Sequence, residues 1–151
     1  MKIVIDIGHP GHVHLFKHFA WQLQNDGYKI LFTVREKDGN IRLLQIYGFE
    51  YEVYGKSRHG IVKKIVGLIK HNISLLRIIR KFKPDISISH SSFYLSQISW
   101  LLNIPNITLE DTGNSEQVLL YRYFTDAILT SSAFHKDYGK KQVRYNGYHE
   151  L

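Results

Sequence analysis

Histidine residues are concentrated near the start of the chain, in the stretch GHPGHVHLFKHF at residues 8–19. An imidazole can take up a proton near neutral pH, bind a sugar hydroxyl or coordinate a metal ion. Glycines in the same stretch let a ligand approach the backbone closely. The stretch therefore supplies the strongest candidates for chemistry, which are His9, Gly11, His12, His14 and His18.

Helical spacing divides these histidines into two groups. His12 lies four residues before Phe16, so a helix places it above a buried stripe and facing the edge of the sheet. We expect His12 to be a general base and its neighbours to bind substrate. Those neighbours are His9, Gly11 and His14. His14 and His18 should share a more exposed face, so we do not expect the four histidines to converge; helix capping or loop polarity is the alternative for His9 and His12.

A zinc site is a competing interpretation of the histidines. His14 and His18 are spaced i, i+4 and could reach one ion. A third ligand is missing from this pattern, and the chain contains no cysteine, so any metal would need further His or carboxylate ligands. We therefore predict no metal site and no cofactor.

Two other polar segments follow apolar runs: HSS at residues 90–92 and EDTGNSEQ at residues 110–117. Asp111 and Glu110 are the second choice for a base, because carboxylates in a crevice can acquire shifted pKa values. The other polar residues are predicted to bind substrate, and they are His90, Ser91, Thr112, Asn114 and Glu116. The alternatives are that Ser91 or Ser92 caps a helix, and that Glu116 is only a helix N-terminal acid.

The apolar pattern alternates between short β-rich runs and longer segments of helical period. This alternation, with near-continuously apolar strands, predicts a doubly wound, parallel, Rossmann-like α/β sheet in one domain over residues 1–151. Strands are predicted at 2–7, 29–34, 50–54, 85–89, 106–109 and 127–131, with another short one within 140–151. Helices are predicted at 12–27, with Phe16, Phe19, Ala20 and Leu23 as the buried stripe, at about 38–48 with Asp38 as N-cap, and at 61–82, 93–103 and 116–124.

The predicted sheet explains how separated segments could form one site. Ligands of open parallel sheets bind outside the carboxyl ends of the strands, where loops converge and helices begin. The histidine stretch, the HSS segment and the acidic segment each follow a predicted strand. We expect all three to meet at this edge.

The composition limits the classes of protein to which this chain can belong. The 151 residues are 44% hydrophobic and carry a formal charge of +7, which suits one globular domain that meets an anionic partner. The sequence contains no apolar run long enough for a membrane span and no signal-peptide pattern, so we expect a cytoplasmic protein. G-x-S-x-G, P-loop and H-E-x-x-H motifs are absent, as are patterns of nucleic-acid-binding folds.

The predicted helix at 61–82 is both basic and unusually apolar. Helices of this kind rest on anionic lipid headgroups, so we expect peripheral contact with the inner face of the cell membrane. A buried helix with a solvated basic side is an equally open alternative. The basic residues concerned are Lys63, Lys64, Lys70, Arg77, Arg80 and Lys81.

Several segments resemble a family of predicted prokaryotic GT-B glycosyltransferases. These segments are KIVIDIGHPGHVHLFKHF, GKSRHGIVKKIVGL, KFKPD and FTDAILTSSAFHKDYGKKQVRYNGYHEL. A more distant similarity connects the chain to MurG-type transferases and UDP-N-acetylglucosamine 2-epimerases. The acidic segment departs from the family pattern, since Glu110, Asp111 and Thr112 carry over but the Glu-His pair that should follow does not.

The resemblance implies the N-terminal, acceptor-side domain of a GT-B fold, with the donor-binding C-terminal domain absent from this chain. Alone, the chain would lack most of the donor site and be inactive. The implied function is transfer of a sugar from a nucleotide-sugar to a sugar or lipid-linked acceptor, in cell-surface polysaccharide synthesis. The alternatives are a UDP-N-acetylglucosamine 2-epimerase-like enzyme and a non-catalytic subunit that recruits a two-chain transferase to the membrane.

Overall fold

A computed structural model of the protein describes residues 1–37, 39–56 and 61–147, with side chains described at 69–114 and 116–147 in the last range. Seven strands form one sheet in the order β3-β2-β1-β4-β5-β6-β7, and every neighbouring pair is parallel. The strands are β1 Lys2–Ile7, β2 Lys29–Glu36, β3 Tyr51–Lys56, β4 Ile86–His90, β5 Asn106–Leu109, β6 Ala127–Ser131 and β7 Gln142–Tyr145.

Helices connect most of the strands and cover both faces of the sheet. They are α1 Pro10–Asn25, α2 Asn40–Ile46, α3 Ile61–Phe82, α4 Phe93–Leu101 and α5 Ser115–Tyr121. The α1 and α2 helices pack over one face, while α3 and α4 pack over the other. The predicted doubly wound parallel architecture is confirmed. None of the described helices is both long enough and apolar enough to cross a membrane.

The starts of two helices differ from the prediction. The α1 helix begins at Pro10 rather than His12, because proline suits the first helical position and the His9 side chain accepts the Gly11 N–H as a cap. The α2 helix begins at Asn40 after Gly39, whose φ of 83° favours glycine. Asp38, the predicted N-cap, lies outside the described residues.

The side chains of β1 point alternately to the two faces of the sheet, as the pleat requires. Ile3, Ile5 and Ile7 enter the core under α1 and α2, whereas Val4 enters the core under α3 and α4. On α1, Phe16 and Ala20 are buried as predicted, but Phe19 is 44% exposed. Phe19 lies about 60° around the helix from Phe16, on the side turned away from the sheet.

Asp6 is a buried acid at the carboxyl end of β1. Its carboxylate accepts hydrogen bonds from the hydroxyls of Thr33 (2.8 Å), Tyr54 (3.3 Å) and Ser92 (2.6 Å). Burial raises the Asp6 pKa, and these bonds together with the Arg35 charge oppose the rise. Ser92 also caps α4 by accepting the Leu95 N–H at 3.3 Å. The start of α4 is thereby fixed to the end of β1.

Candidate functional site

A cavity of about 720 Å³ lies at the carboxyl ends of β1, β4 and β5. The strand order reverses between β1 and β4, which is where open α/β sheets place their ligands. The predicted site residues that line the cavity are His9, Gly11, His12, His14, His90, Asp111 and Thr112. The volume suits a small-molecule ligand.

His12 faces the crevice, as its spacing from Phe16 predicts, but its hydrogen bonding does not suit a base. Its Nδ1 accepts the backbone N–H of Gly8 at 3.3 Å, so the neutral ring carries its proton on Nε2. Burial and the neighbouring His90 and His9 lower the His12 pKa to about 3. A neutral imidazole in this tautomer donates a hydrogen bond rather than accepting a proton.

His90 is held by a carboxylate. Its Nε2 lies 3.2 Å from Asp111 Oδ1, which joins the ends of β4 and β5. The His90 ring also packs against His12, with 4.6 Å between ring centroids and a 35° tilt. When Nε2–H donates to Asp111, the lone pair of a neutral His90 is on Nδ1. A histidine oriented by a carboxylate in this way is the arrangement that general bases use.

Glu110 is buried and fully engaged in hydrogen bonds. Its Oε1 accepts the N–H groups of Thr112 (2.9 Å) and Gly113 (2.8 Å) and the Thr112 hydroxyl (2.9 Å). Its Oε2 accepts the hydroxyls of Ser91 (2.8 Å) and Tyr121. Burial alone would raise the Glu110 pKa, but these bonds bring it below its ordinary value. The structure therefore gives Glu110 the role of holding the acidic loop, in place of the predicted role of base.

Three other predicted substrate-binding residues do not line the cavity. Ser91 is buried and donates its hydroxyl to Glu110 and to the Leu109 carbonyl (3.2 Å). Asn114 caps α5 by accepting the N–H groups of Glu116 (3.2 Å) and Gln117 (3.4 Å). Glu116 is exposed in the first turn of that helix. The position of Glu116 corresponds to the alternative of a helix N-terminal acid, and of the two serines offered as caps it is Ser92 that caps α4.

The cavity extends further along α1 than the sequence indicated. His14 and His18 are exposed, as expected, but both line the same cavity as His9 and His12. Leu15 and Lys17, which sequence reasoning missed, line it as well. Gly11, His14, Leu15 and His18 repeat at i, i+3, i+4 and i+7, which is the spacing of one helix face and the signal that could have found this wall.

Histidine clustering does not build a metal centre in the part of the chain that the structure describes. Within those residues, no group of three or more His, Asp or Glu side chains is placed to hold an ion. His14 instead lies with its Nδ1 3.2 Å from the Tyr47 hydroxyl. The His18 ring packs edge-on against Trp21, with centroids 5.3 Å apart.

The α3 helix carries exposed apolar and basic side chains together. Ile69 is 61% exposed and Ile73 is 44% exposed, whereas Leu75 and Ile79 are buried. Four of the predicted membrane-surface residues are exposed beside the two isoleucines: Lys70, Arg77, Arg80 and Lys81. Arg77 and Lys81 also line a cavity with Glu50 and Glu52. The side chains of Lys63 and Lys64 lie outside the described residues.

The sequence matches a known protein family. A family model described as "Protein of unknown function (DUF354)" matches residues 1–142. The uncharacterized protein MJ0665 of Methanocaldococcus jannaschii is 28% identical over 116 residues, which cover 77% of this chain and 34% of that protein. The chain thus spans about a third of the length of this curated relative.

Solved structures similar to this one are sugar-related enzymes. MurG of Acinetobacter baumannii has a TM-score of 0.70 at 16% identity, over 90% of this chain and 42% of MurG. UDP-GlcNAc 2-epimerase of Neisseria meningitidis, bound to UDP-GlcNAc, has a TM-score of 0.68 at 13% identity, over 86% and 40%. The glycosyltransferase SsfS6 of Streptomyces sp. SF2575 has a TM-score of 0.67 at 15% identity, over 97% and 56%. These similarities confirm the predicted fold class, a Rossmann-like α/β sheet of the kind found in GT-B folds.

Proposed function

The chain belongs to the family described as "Protein of unknown function (DUF354)", and from this premise we propose that it is the acceptor-side domain of a glycosyltransferase. The donor is a nucleotide-sugar, and the acceptor is a sugar or lipid-linked molecule used in cell-surface polysaccharide synthesis. The observation that carries the proposal is the His90–Asp111 pair, which lies in the cavity at the carboxyl ends of the strands. The similarity to sugar-related enzymes supports it.

The proposed reaction assigns one role to each group. An acceptor hydroxyl oxygen attacks the anomeric carbon of the donor sugar, and the bond from that carbon to the diphosphate oxygen breaks. His90 takes the hydroxyl proton, Asp111 stabilises the imidazolium that forms, and the nucleoside diphosphate leaves with the bonding electrons. His12 donates a hydrogen bond from Nε2, and His9, Gly11 and Thr112 line the acceptor pocket. In this proposal the base is thus His90, and not His12 as the sequence predicted.

The donor-binding half belongs to a second domain in this proposal. Similar structures are matched over 40% to 56% of their own length, which leaves room for such a domain. It would come from further sequence of the same polypeptide or from a partner chain. The isolated chain should therefore bind an acceptor without transferring sugar.

A transfer assay tests the function. The chain is combined with the polypeptide that supplies the donor half, and release of nucleoside diphosphate is measured over a panel of nucleotide-sugars, with and without extracted cell-envelope acceptors. Release that depends on acceptor, and that falls 100-fold or more in Asp111→Asn, supports the proposal, because general base catalysis is worth about 10²–10⁴-fold. Undiminished transfer by Asp111→Asn would contradict it.

Epimerisation of the donor is the second candidate function. The structural similarity to a UDP-GlcNAc 2-epimerase favours it. An epimerase would convert UDP-GlcNAc without any acceptor, so proton NMR of UDP-GlcNAc incubated with the same preparation separates the two functions. If a second, epimeric sugar nucleotide forms in the absence of acceptor, the protein is an epimerase and not a transferase.

Contact with a membrane surface is a further part of the proposal. Ile69 and Ile73 are exposed on the same helix as Lys70 and Arg80, and this pairing of apolar and basic side chains suits an anionic headgroup region. Because Arg77 and Lys81 share a cavity with two glutamates, they are expected to contribute less. We place the protein at the cytoplasmic face of the membrane on this basis.

Vesicle sedimentation tests the membrane contact. Lys70→Gln/Arg80→Gln should bind phosphatidylglycerol vesicles at least tenfold more weakly, since each basic residue near the surface is worth about 1 kcal/mol. Lys29→Gln, an exposed lysine at the start of β2, is the matched control and should bind normally. Equal vesicle binding by the wild type, the double variant and Lys29→Gln would contradict the membrane contact. Binding of the wild type to purely zwitterionic vesicles would also contradict it. Loss of transfer with vesicle binding intact would instead favour the non-catalytic recruitment subunit.

A further inference from the structure

The cavity has a second wall, separate from the His90–Asp111 pair. His14, Lys17 and His18 line it on α1, and we call these three residues the α1 cationic strip. The helix rises roughly 9 Å between His12 and His18. Because His90, the proposed base, packs against His12, the far end of the strip can contact a different part of the same ligand.

Tyr47, which follows α2, holds two members of the strip. Its hydroxyl lies 3.2 Å from His14 Nδ1, and the two ring centroids are 5.9 Å apart. The Lys17 ammonium lies 5.4 Å from the centroid of the same Tyr47 ring. An imidazole and an ammonium are thus both placed against one phenol ring. Such placement reduces the conformational entropy that a ligand must remove when it binds.

The charge around the strip favours an anion. Asp111 is the acid that lines the cavity, and it is engaged with His90. Across the described ranges, no carboxylate lies within ion-pair distance of the Lys17 ammonium. The Lys17 ammonium offers three N–H donors, and an imidazole can donate a hydrogen bond in either protonation state. Among the described residues, the strip therefore presents hydrogen-bond donors and an ammonium group that is not ion-paired with an acid.

We propose that the α1 cationic strip binds an oxyanion of the acceptor, either a phosphate or a carboxylate, while the reacting hydroxyl lies at His90. The acceptor would then be an anionic sugar or sugar phosphate rather than a neutral sugar. This inference rests on the proposed function only in taking the ligand of the cavity to be the acceptor.

Direct binding to this chain tests the inference without the donor half. Glucose 1-phosphate, glucuronate and glucose are titrated into ¹⁵N-labelled protein, and backbone amide shifts of residues 14–18 are followed. At least one of the two anionic sugars should shift these signals and bind at least tenfold more tightly than glucose. Which of the two binds better identifies phosphate or carboxylate as the anion.

Variants connect the binding to the strip. His14→Gln/Lys17→Gln should weaken binding of the anionic sugar at least tenfold, while Lys29→Gln should leave it unchanged. Glucose binding as tightly as both anions would overturn the inference, as would an anion whose affinity the double variant does not alter. If the anion binds at the strip but no sugar transfer is found, the subsite stands and the proposed function falls. If transfer proceeds with an acceptor KM that the double variant does not change, the function stands and this inference falls.

Discussion

The His12 and His90 rings pack together with 4.6 Å between centroids, yet their hydrogen bonds give them opposite chemistry. His12 Nδ1 is occupied by the Gly8 N–H, so its Nε2 is a donor. His90 Nε2 is directed to Asp111, so its lone pair is on Nδ1. The stacked pair therefore combines one imidazole held as a hydrogen-bond donor with one that a carboxylate orients, which is the difference that the proposed reaction uses.

The lowered pKa of His12 predicts a loss of stability in mild acid. The pKa is about 3 in the folded chain against an ordinary value of 6.5, so between these values only the unfolded chain binds the proton. Stability is therefore present above about pH 6.5 and declines as the pH falls, by on the order of 2 kcal/mol between pH 7 and pH 5. Urea unfolding of the wild type and of His12→Gln measures this. Between pH 7 and pH 5, the free energy of unfolding of the variant should decline by that much less than that of the wild type. An equal decline in the two proteins would contradict the low pKa of His12.

Glu110→Ala should destabilise the fold strongly. The backbone N–H groups of Thr112 and Gly113 both donate to Oε1 of Glu110 and cannot reverse direction, so removal of the carboxylate leaves both without this acceptor. We expect a loss of about 2–4 kcal/mol in the free energy of unfolding. Glu116→Ala, on the exposed surface of α5, is the matched control and should change stability by less than about 0.5 kcal/mol. A similar small effect in both variants would show that Glu110 does not hold the loop.

Asp6→Asn, unlike the substitution of Glu110, should not destabilise the fold. The Asp6 pKa is raised by burial, so its carboxyl favours folding in the protonated form, and that contribution is lost as the pH rises through the folded pKa. Its three partners are hydroxyls, which can rotate to accept from an amide. The variant should be at least as stable as the wild type at pH 7. Asp6→Ala, which leaves the hydroxyls without an acceptor, should lose about 1–3 kcal/mol. Equal losses in the two variants would contradict this account.

The architecture could be predicted because it depends on local signals. β1, β5 and β6 have the predicted bounds, and α3 spans the predicted 61–82. The start of α1 could not be placed as well, because capping by His9 shifts the boundary without changing the apolar pattern. Terminal turns of helices depend on such side-chain contacts.

The candidate site was predictable as a location but not as a set of roles. The rule for parallel sheets brings His12, His90 and Asp111 to one edge, and the structure places them there. Which histidine is oriented by the carboxylate depends on contacts across 21 residues of sequence, and spacing within one helix carries no such information. Glu110 and Asp111 are adjacent just beyond the end of β5, yet one carboxylate turns inward to Ser91 and Tyr121 and the other turns to His90.

Comparing the two histidines in one transfer assay tests the central claim most directly. His90→Gln and His12→Gln each retain an amide donor but remove the imidazole. Because His90 is the proposed proton acceptor and His12 only a donor, kcat should fall about 10²–10⁴-fold in His90→Gln and less than tenfold in His12→Gln. The reverse order, with His12→Gln inactive and His90→Gln active, would contradict the account.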